Sequence, residues 1–251
     1  MAAFRRTLTV LAATAAVVVV AAVVGTGRAT AARLDGTSRA VAHAPSSRHS
    51  NGTSSNWSGY AVTGGTYRTV TASWVQAAVT CSGTAYSSFW VGIDGDTSGT
   101  VEQTGTEADC RGTRPVYSSW YEMYPKYPVN YPDPVAPGDH LTSSVTTNGN
   151  GTFTLTLTNS TKGWTESVTK RLKRAQLASA EVIAEAPSSS SGVLPLANFG
   201  TAGFSATKVN GSTLTNSTAG IDAITMQSGS TVKAKPSGIS NGAFSVTWKH
   251  S

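Results

Sequence analysis

An all-β fold of antiparallel sheets is what this sequence predicts, and three observations carry the expectation. The clearest is the run Thr152-Phe153-Thr154-Leu155-Thr156-Leu157-Thr158, in which apolar residues alternate with threonines, so that a strand has one dry face and one wet face. Similar short runs occupy residues 67–75, 87–93, 118–124, 141–147, 180–185, 204–209, 221–226 and 244–248. The second observation is the spacing of turn-forming pairs between these runs, Asn148-Gly149-Asn150-Gly151, Asn210-Gly211, Ser228-Gly229 and Asn241-Gly242. The third is that no helical stripe follows the N-terminal segment. Many short strands rich in Thr and Val, at regular spacing, point to sheets packed as a sandwich or barrel. No internal repeat is visible. The proline-rich stretch 124–137 is excluded from a central strand and is expected to form a loop over one rim. Residues 188–191 are expected to form another loop tip.

In chain order, the first element is a secretory signal over residues 1–31. Arg5 and Arg6 precede an apolar run over residues 8–24, and Ala29-Thr30-Ala31 supplies a small-residue cleavage site. An uncleaved membrane anchor is the alternative for so long an apolar run, but the three-part order favours export. Residues 32–53 contain Ser, Arg, His and Ala with little large apolar material, and read as a disordered lead-in or a short propeptide. Residues 54–251 remain for one β-rich domain, enough chain for a sizeable core.

The net charge of +6 overstates the basicity of that domain. Six of the nineteen Lys and Arg precede residue 53 (Arg5, Arg6, Arg28, Arg33, Arg39, Arg48), offset there only by Asp35. Thirteen bases against twelve acids leave the domain close to neutral, which removes the main support for nucleic-acid binding. The cluster Lys170-Arg171-Lys173-Arg174 reads as a solvated loop face. After export the protein would meet no membrane. Its two cysteines, Cys81 and Cys110, are an even pair in an oxidising compartment, which predicts a disulfide.

The chemistry narrows by elimination. Of four histidines, His43 and His49 lie in the lead-in and His250 is the penultimate residue, leaving His140 alone in the domain. A serine triad would rest on that one histidine, without a nucleophile elbow. No paired-histidine zinc motif occurs, and Asp94-Gly95-Asp96 has too few oxygen ligands beside it for a calcium loop, so no metal or cofactor is expected. Carboxylates and amides are left.

Phe89-Trp90-Val91-Gly92-Ile93-Asp94-Gly95-Asp96, followed by Val101-Glu102-Gln103-Thr104-Gly105, resembles the signature of the glutamic peptidases, the eqolisins. Asn56-Trp57-Ser58-Gly59-Tyr60 is similar to the family's domain start, and Trp120-Tyr121-Glu122-Met123-Tyr124-Pro125 to its aromatic strand. Ala180-Glu181-Val182-Ile183-Ala184-Glu185 resembles the segment that ends on the catalytic glutamate, and Leu196-Ala197-Asn198-Phe199-Gly200 the region after it. The resemblance runs from about Ser55 to Trp248. It implies a concanavalin A-like sandwich of two large antiparallel sheets, with the concave face of one forming the substrate cleft. It also implies a secreted, pepstatin-insensitive acid endopeptidase acting on polypeptides, with Gln103 and Glu185 catalytic. This domain is near neutral where the fungal members are acidic, and Ser118-Ser119 stands where a fungal aspartate precedes the aromatic strand.

Those roles make chemical sense. A carboxylate can take a proton from water as it attacks a peptide carbonyl and return it to the leaving nitrogen. A primary amide can donate to the developing oxyanion at any pH. Strand parity offers a check, because Val101 and Gln103 share a face, as do Trp120, Glu122 and Tyr124, and Glu181, Ile183 and Glu185. The faces bearing Gln103, Glu122 and Glu185 are all expected on the concave side. Trp120 and Tyr124 are then substrate-binding walls, ordinary core aromatics being the alternative, and Glu122 tunes its neighbours. Trp57 and Trp90 are expected to line the cleft on the resemblance alone; Trp74 and Trp248 are expected in the core. Asp94 is expected to anchor its turn or give the cleft a hydrogen bond. A monomer is the default for an open cleft. The rival readings are a glycoside hydrolase using Glu122 and Glu185, in which Gln103 would have no required role, and a non-catalytic carbohydrate-binding sandwich.

Overall fold

A computed structural model describes residues 30–31, 41–46, 48–50 and 52–251. The expected export signal lies outside the described residues apart from 30–31. No described residue is helical, and the strands pair almost entirely antiparallel.

Thirteen strands of five or more residues build the domain: β1 (Trp57–Thr63), β2 (Thr69–Val75), β3 (Ser88–Ile93), β4 (Val101–Arg111), β5 (Arg114–Tyr124), β6 (His140–Thr147), β7 (Thr152–Asn159), β8 (Trp164–Arg171), β9 (Ser179–Glu185), β10 (Thr201–Val209), β11 (Ile221–Ser228), β12 (Thr231–Pro236) and β13 (Phe244–Trp248). The first sheet runs β11-β1-β9-β3-β4-β5. The second runs β8-β7-β6-β2-β10-β13-β12-β11. β11 belongs to both, since Ile221 to Ile224 pair with β1 and Met226 to Ser228 with β12.

The core between the sheets follows from period two. Val70, Ala72 and Trp74 of β2, Leu141 and Val145 of β6, and Phe153, Leu155 and Leu157 of β7 point inward. They meet Phe89, Val91 and Ile93 of β3 and Ala180, Val182 and Ala184 of β9. On the outer face of β7, Thr154, Thr156 and Thr158 pair hydroxyl to hydroxyl with Thr169, Ser167 and Thr165 of β8 at 3.0–3.3 Å. The alternating threonines are therefore the wet face of that sheet.

The disulfide is formed as the cysteines predict, with Cys81 and Cys110 at a Cα separation of 5.3 Å. It ties the end of β4 to the loop before β3 and, by the loop-entropy model, stabilises the fold by about 3–4 kcal/mol. Three local expectations need correction. Lys170 and Arg171 end a strand and are not loop, and Lys170 Nζ lies 5.2 Å over the Tyr121 ring. β8 escapes the alternation test because, as a sheet edge, it commits only Trp164 and Val168 to the core. Residues 188–193 close a small hairpin, Ser188–Ser189 against Gly192–Val193. Trp74 is core, whereas Trp248 is only partly buried at the core's margin.

Candidate active site

The first sheet has a second buried face, turned away from the inter-sheet core. Trp57 and Ala61 of β1, Trp90 of β3, Val101 of β4, Trp120 of β5 and Ile183 of β9 form a separate apolar cluster there, with Tyr124 half-buried against it. The parity argument requires this, since each is one residue out of phase with the core side chains of its own strand.

Gln103, Glu122 and Glu185 are fully buried in this region. The β4–β5 register sets Gln103 directly opposite Glu122, and Gln103 Nε2 donates to Glu122 Oε2 at 2.9 Å. Across β3 the partner of Gln103 is Gly92, where a Cβ would stand 2.8 Å from the Trp90 ring and 3.2 Å from Gln103 Cβ. Glycine there lets the indole lie down beside the amide. Trp90 Nε1 in turn donates to Glu185 Oε2 at 2.8 Å. Trp57 is the strand partner of Glu185.

Residues 41–46 lie across this cluster. The His43 ring stacks on Trp120 with centroids 3.7 Å apart and planes 5° from parallel. Its Nδ1 is 3.3 Å from Glu185 Oε2 and its Nε2 is 3.3 Å from Glu107 Oε1. Its main chain is held as well: the N–H donates to Glu122 Oε2 at 3.1 Å, and the carbonyl accepts from Gln103 Nε2 at 2.7 Å. Ala42 exchanges two backbone hydrogen bonds with Ser188, at 2.8 and 2.9 Å. Trp57 Nε1 donates to the Ala44 carbonyl at 3.1 Å, and Ser46 N–H to the Gly95 carbonyl at the same distance.

Burial raises the Glu122 pKa to about 8, against the opposing charge and N–H of His43. Burial also raises that of Glu185, with His43 and Trp90 pulling it down. For His43 burial works downward, but the Glu107 and Glu185 carboxylates outweigh it and raise the pKa to about 10. At neutral pH His43 is therefore an imidazolium, with Glu107 and Glu185 on its two sides. Gln103 Oε1, Glu122 Oε1 and Glu185 Oε1 are buried without a protein hydrogen-bond partner. Such atoms are uncommon in folded proteins and can take water or a ligand.

Gln103, Glu122, Glu185, Trp57, Trp90 and Trp120 are thus brought together, with Tyr124 at the margin. Asp94 holds a different segment from its own turn. Its carboxylate accepts the N–H groups of Gln176, Leu177 and Ala178 at 2.8–3.0 Å and anchors the loop leading into β9. Two residues were missed by sequence reasoning. Glu107 shares strand parity with Gln103, so the alternation of β4 could have found it, and Ser118 Oγ donates to its Oε2 at 2.9 Å. His43 carries no local signal, because its contact with Glu185 spans 142 positions.

The chain belongs to the peptidase A4 family, whose model matches residues 55–248. Scytalidopepsin B from Scytalidium lignicola is 35% identical over 111 residues, 43% of this chain and 42% of that protein. Aspergillopepsin-2 from Aspergillus niger is 30% identical over 138 residues, 46% of this chain and 48% of that protein. The matches thus span less than half the length of either relative. The crystal structure of scytalido-glutamic peptidase with a transition state analog inhibitor superposes with a TM-score of 0.67 at 26% identity, covering 78% of this chain and 98% of that one. For aspergilloglutamic peptidase from Aspergillus niger the TM-score is 0.59 at 28% identity, covering 66% and 99%. The two-sheet sandwich is the fold shared with these solved peptidases.

Proposed function

We propose that this protein is an exported, monomeric acid endopeptidase of the glutamic type, in which Glu185 activates water and Gln103 stabilises the oxyanion. The observation that carries the reading is that Gln103 and Glu185 both engage one residue of an extended peptide, Gln103 through its carbonyl. The amide nitrogen has two hydrogens: one is fixed by Glu122 and the other is aimed at that carbonyl. A donor so fixed is available to the negative charge that grows on the oxygen during attack. Glu185 takes the proton of the attacking water, a C–O bond forms and the carbonyl becomes tetrahedral. The same carboxyl then returns the proton to nitrogen as the C–N bond breaks. Residues 1–31 would direct export and residues 32–53 would be a lead-in or propeptide ahead of the 54–251 domain. In a glycosidase Glu122 and Glu185 would act as a pair and the Gln103 amide would have nothing to do, which family membership also disfavours.

The test is cleavage of a denatured protein across pH 2 to 7 with pepstatin present, comparing the parent with Glu185→Gln. Cleavage that resists pepstatin and falls by about 10²–10⁴ in the folded variant is the expected result. Unchanged cleavage by Glu185→Gln would remove the glutamate from the mechanism.

A further inference from the structure

We propose that the hollow between the 148–151 turn and residues 171–177, a site that shares no residue with the cleft, docks a base-free phosphodiester polymer through Arg68, Arg171 and Lys173.

The near-neutral charge of the domain hides a segregation. From residue 54 on, none of the twelve Asp and Glu is exposed, whereas twelve of the thirteen Lys and Arg are, Lys233 being the exception. Of the exposed cations, Lys162 is paired with an acid, Asp139. A partner arriving from solvent therefore meets a cationic surface, although the charges in the sequence nearly cancel.

Strand register gathers part of that charge in one place. The pairings Thr69 with Thr146, Thr147 with Phe153 and Thr152 with Arg171 put Arg68, the 148–151 turn and Arg171 at the same end of the second sheet. The Arg68 guanidinium donates to the Asn148 carbonyl, and the Arg68 carbonyl accepts the Thr147 N–H at 2.8 Å. On the other side the Leu172 N–H donates to the Gly151 carbonyl at 2.8 Å. Gly149 and Gly151, at φ of +88° and +79°, make the turn thin enough to fit between them: a Cβ at 149 would run into the Arg68 guanidinium, and one at 151 would stand 3.1 Å from the Leu172 carbonyl oxygen. What is left is an open hollow of about 420 Å³, lined by the turn, by Arg171 and Lys173, and by the apolar side chains of Ala175 and Leu177. Among the described residues no Asp or Glu is paired with Arg68, Arg171, Lys173 or Arg174. The Asp94 carboxylate behind this segment is taken up by the N–H groups of Gln176, Leu177 and Ala178.

Two guanidinium forks and an ammonium around one hollow match the oxygens of a phosphate, and Ala175 and Leu177 suit a short carbon spacer between successive charges. A nucleic acid would want aromatic platforms for its bases, but the exposed large apolar side chains are Val75 and Tyr127, and neither lines the hollow. A polycarboxylate loses its charge as pH falls through about 4, whereas a phosphodiester keeps it in acid. Docked in this way, the protein would be retained on a phosphate-rich polymer with its cleft untouched.

The experiment uses the full chain and two labelled probes, a synthetic oligo(glycerol phosphate) and mixed-sequence single-stranded DNA of equal charge, with binding read by fluorescence anisotropy at pH 5 over a salt series. Arg171→Gln with Lys173→Gln should weaken oligo(glycerol phosphate) binding at least about tenfold and flatten the slope of log Kd against log salt by about one. Arg111→Gln with Arg114→Gln, an exposed pair in the β4–β5 turn, removes the same charge elsewhere and should cost about threefold or less. A thermal melt checks both pairs, and Arg171→Gln alone, expected to lose about threefold, reads the same site if the pair melts early. An equal loss in the two pairs would reduce the effect to diffuse charge and overturn the site. Absence of oligo(glycerol phosphate) binding would overturn it too, and tighter binding of the DNA would replace the proposed partner with a nucleic acid.

Discussion

Two groups of buried carboxylates sit in the first sheet, and the difference between them is the presence of a cation. In the cleft, Glu107 and Glu185 share His43, and the imidazole is raised to about 10 by them. Near the β3–β4 turn, Glu102 and Glu181 are fully buried close to Asp94, with no Lys, Arg or His paired to either among the described residues. Burial and the Asp94 charge raise Glu102 to about 9, and burial raises Glu181 well above the ordinary carboxylate range. The second group is held as neutral acids, whereas the first has a cation beside it, supplied by a remote part of the chain. The same residue type in the same sheet is thus met in two ways: Glu102 and Glu181 fill space as acids, while Glu185 faces an imidazolium.

The largest effect that would sharpen this contrast is expected at Gln103. If Gln103 stabilises the oxyanion as proposed, Gln103→Ala, which also removes the partner of Glu122, should lower kcat about 10²–10³-fold with a smaller change in KM. Steady-state kinetics on a peptide substrate checks it. An equal loss in KM and none in kcat would mean that Gln103 binds the ground state only.

Much of this arrangement was legible in the sequence. Alternation in 152–158 fixed the inward face of β7, and parity grouped Gln103 with Val101, Glu122 with Trp120 and Glu185 with Ile183, whose apolar members form the second cluster. β8 was illegible because an edge strand buries too few side chains to leave an alternating mark. Glu107 was within reach of the parity argument and lacked only a motif to draw notice. His43 was out of reach for a deeper reason. Its place depends on five partners, Trp120, Glu107, Gln103, Glu122 and Glu185, each at least 60 positions away, and none leaves a trace in the residues around His43.

Breaking the other side of the comparison should change stability and leave chemistry alone. Glu102 has a folded pKa of about 9 against an ordinary 4.5, so its contribution is fully present below pH 4.5 and is lost as pH rises toward 9. Glu102→Gln removes that dependence. The variant should be more stable than the parent by up to about 3 kcal/mol at pH 7 and no more stable at pH 4. Denaturant unfolding at the two pH values measures it. An advantage that persists at pH 4 would mean packing, not ionisation, is responsible.

A smaller and more local effect follows from the cation in the cleft. His43 is faced by Glu107 and Asp109 of β4, Glu122 of β5 and Glu185 of β9, with Trp120 beneath the ring. Docking raises His43, so that part of the holding energy is complete below pH 6.5 and fades as pH climbs toward 10. Glu185 is raised as well, burial outweighing the pull of His43 and Trp90, so its part is likewise present at low pH and is lost as pH rises. The two slopes have the same sign, and the segment is held best on the acid side. In hydrogen exchange, the Ala42 amide, bonded to the Ser188 carbonyl, should lose about tenfold or more of its protection between pH 6 and pH 9 after correction for intrinsic rates. In His43→Ala the same amide should be poorly protected at both. Protection that is equal at both pH values in the parent would show that backbone pairing alone holds residues 41–46, and that the imidazolium is a passenger in the cleft.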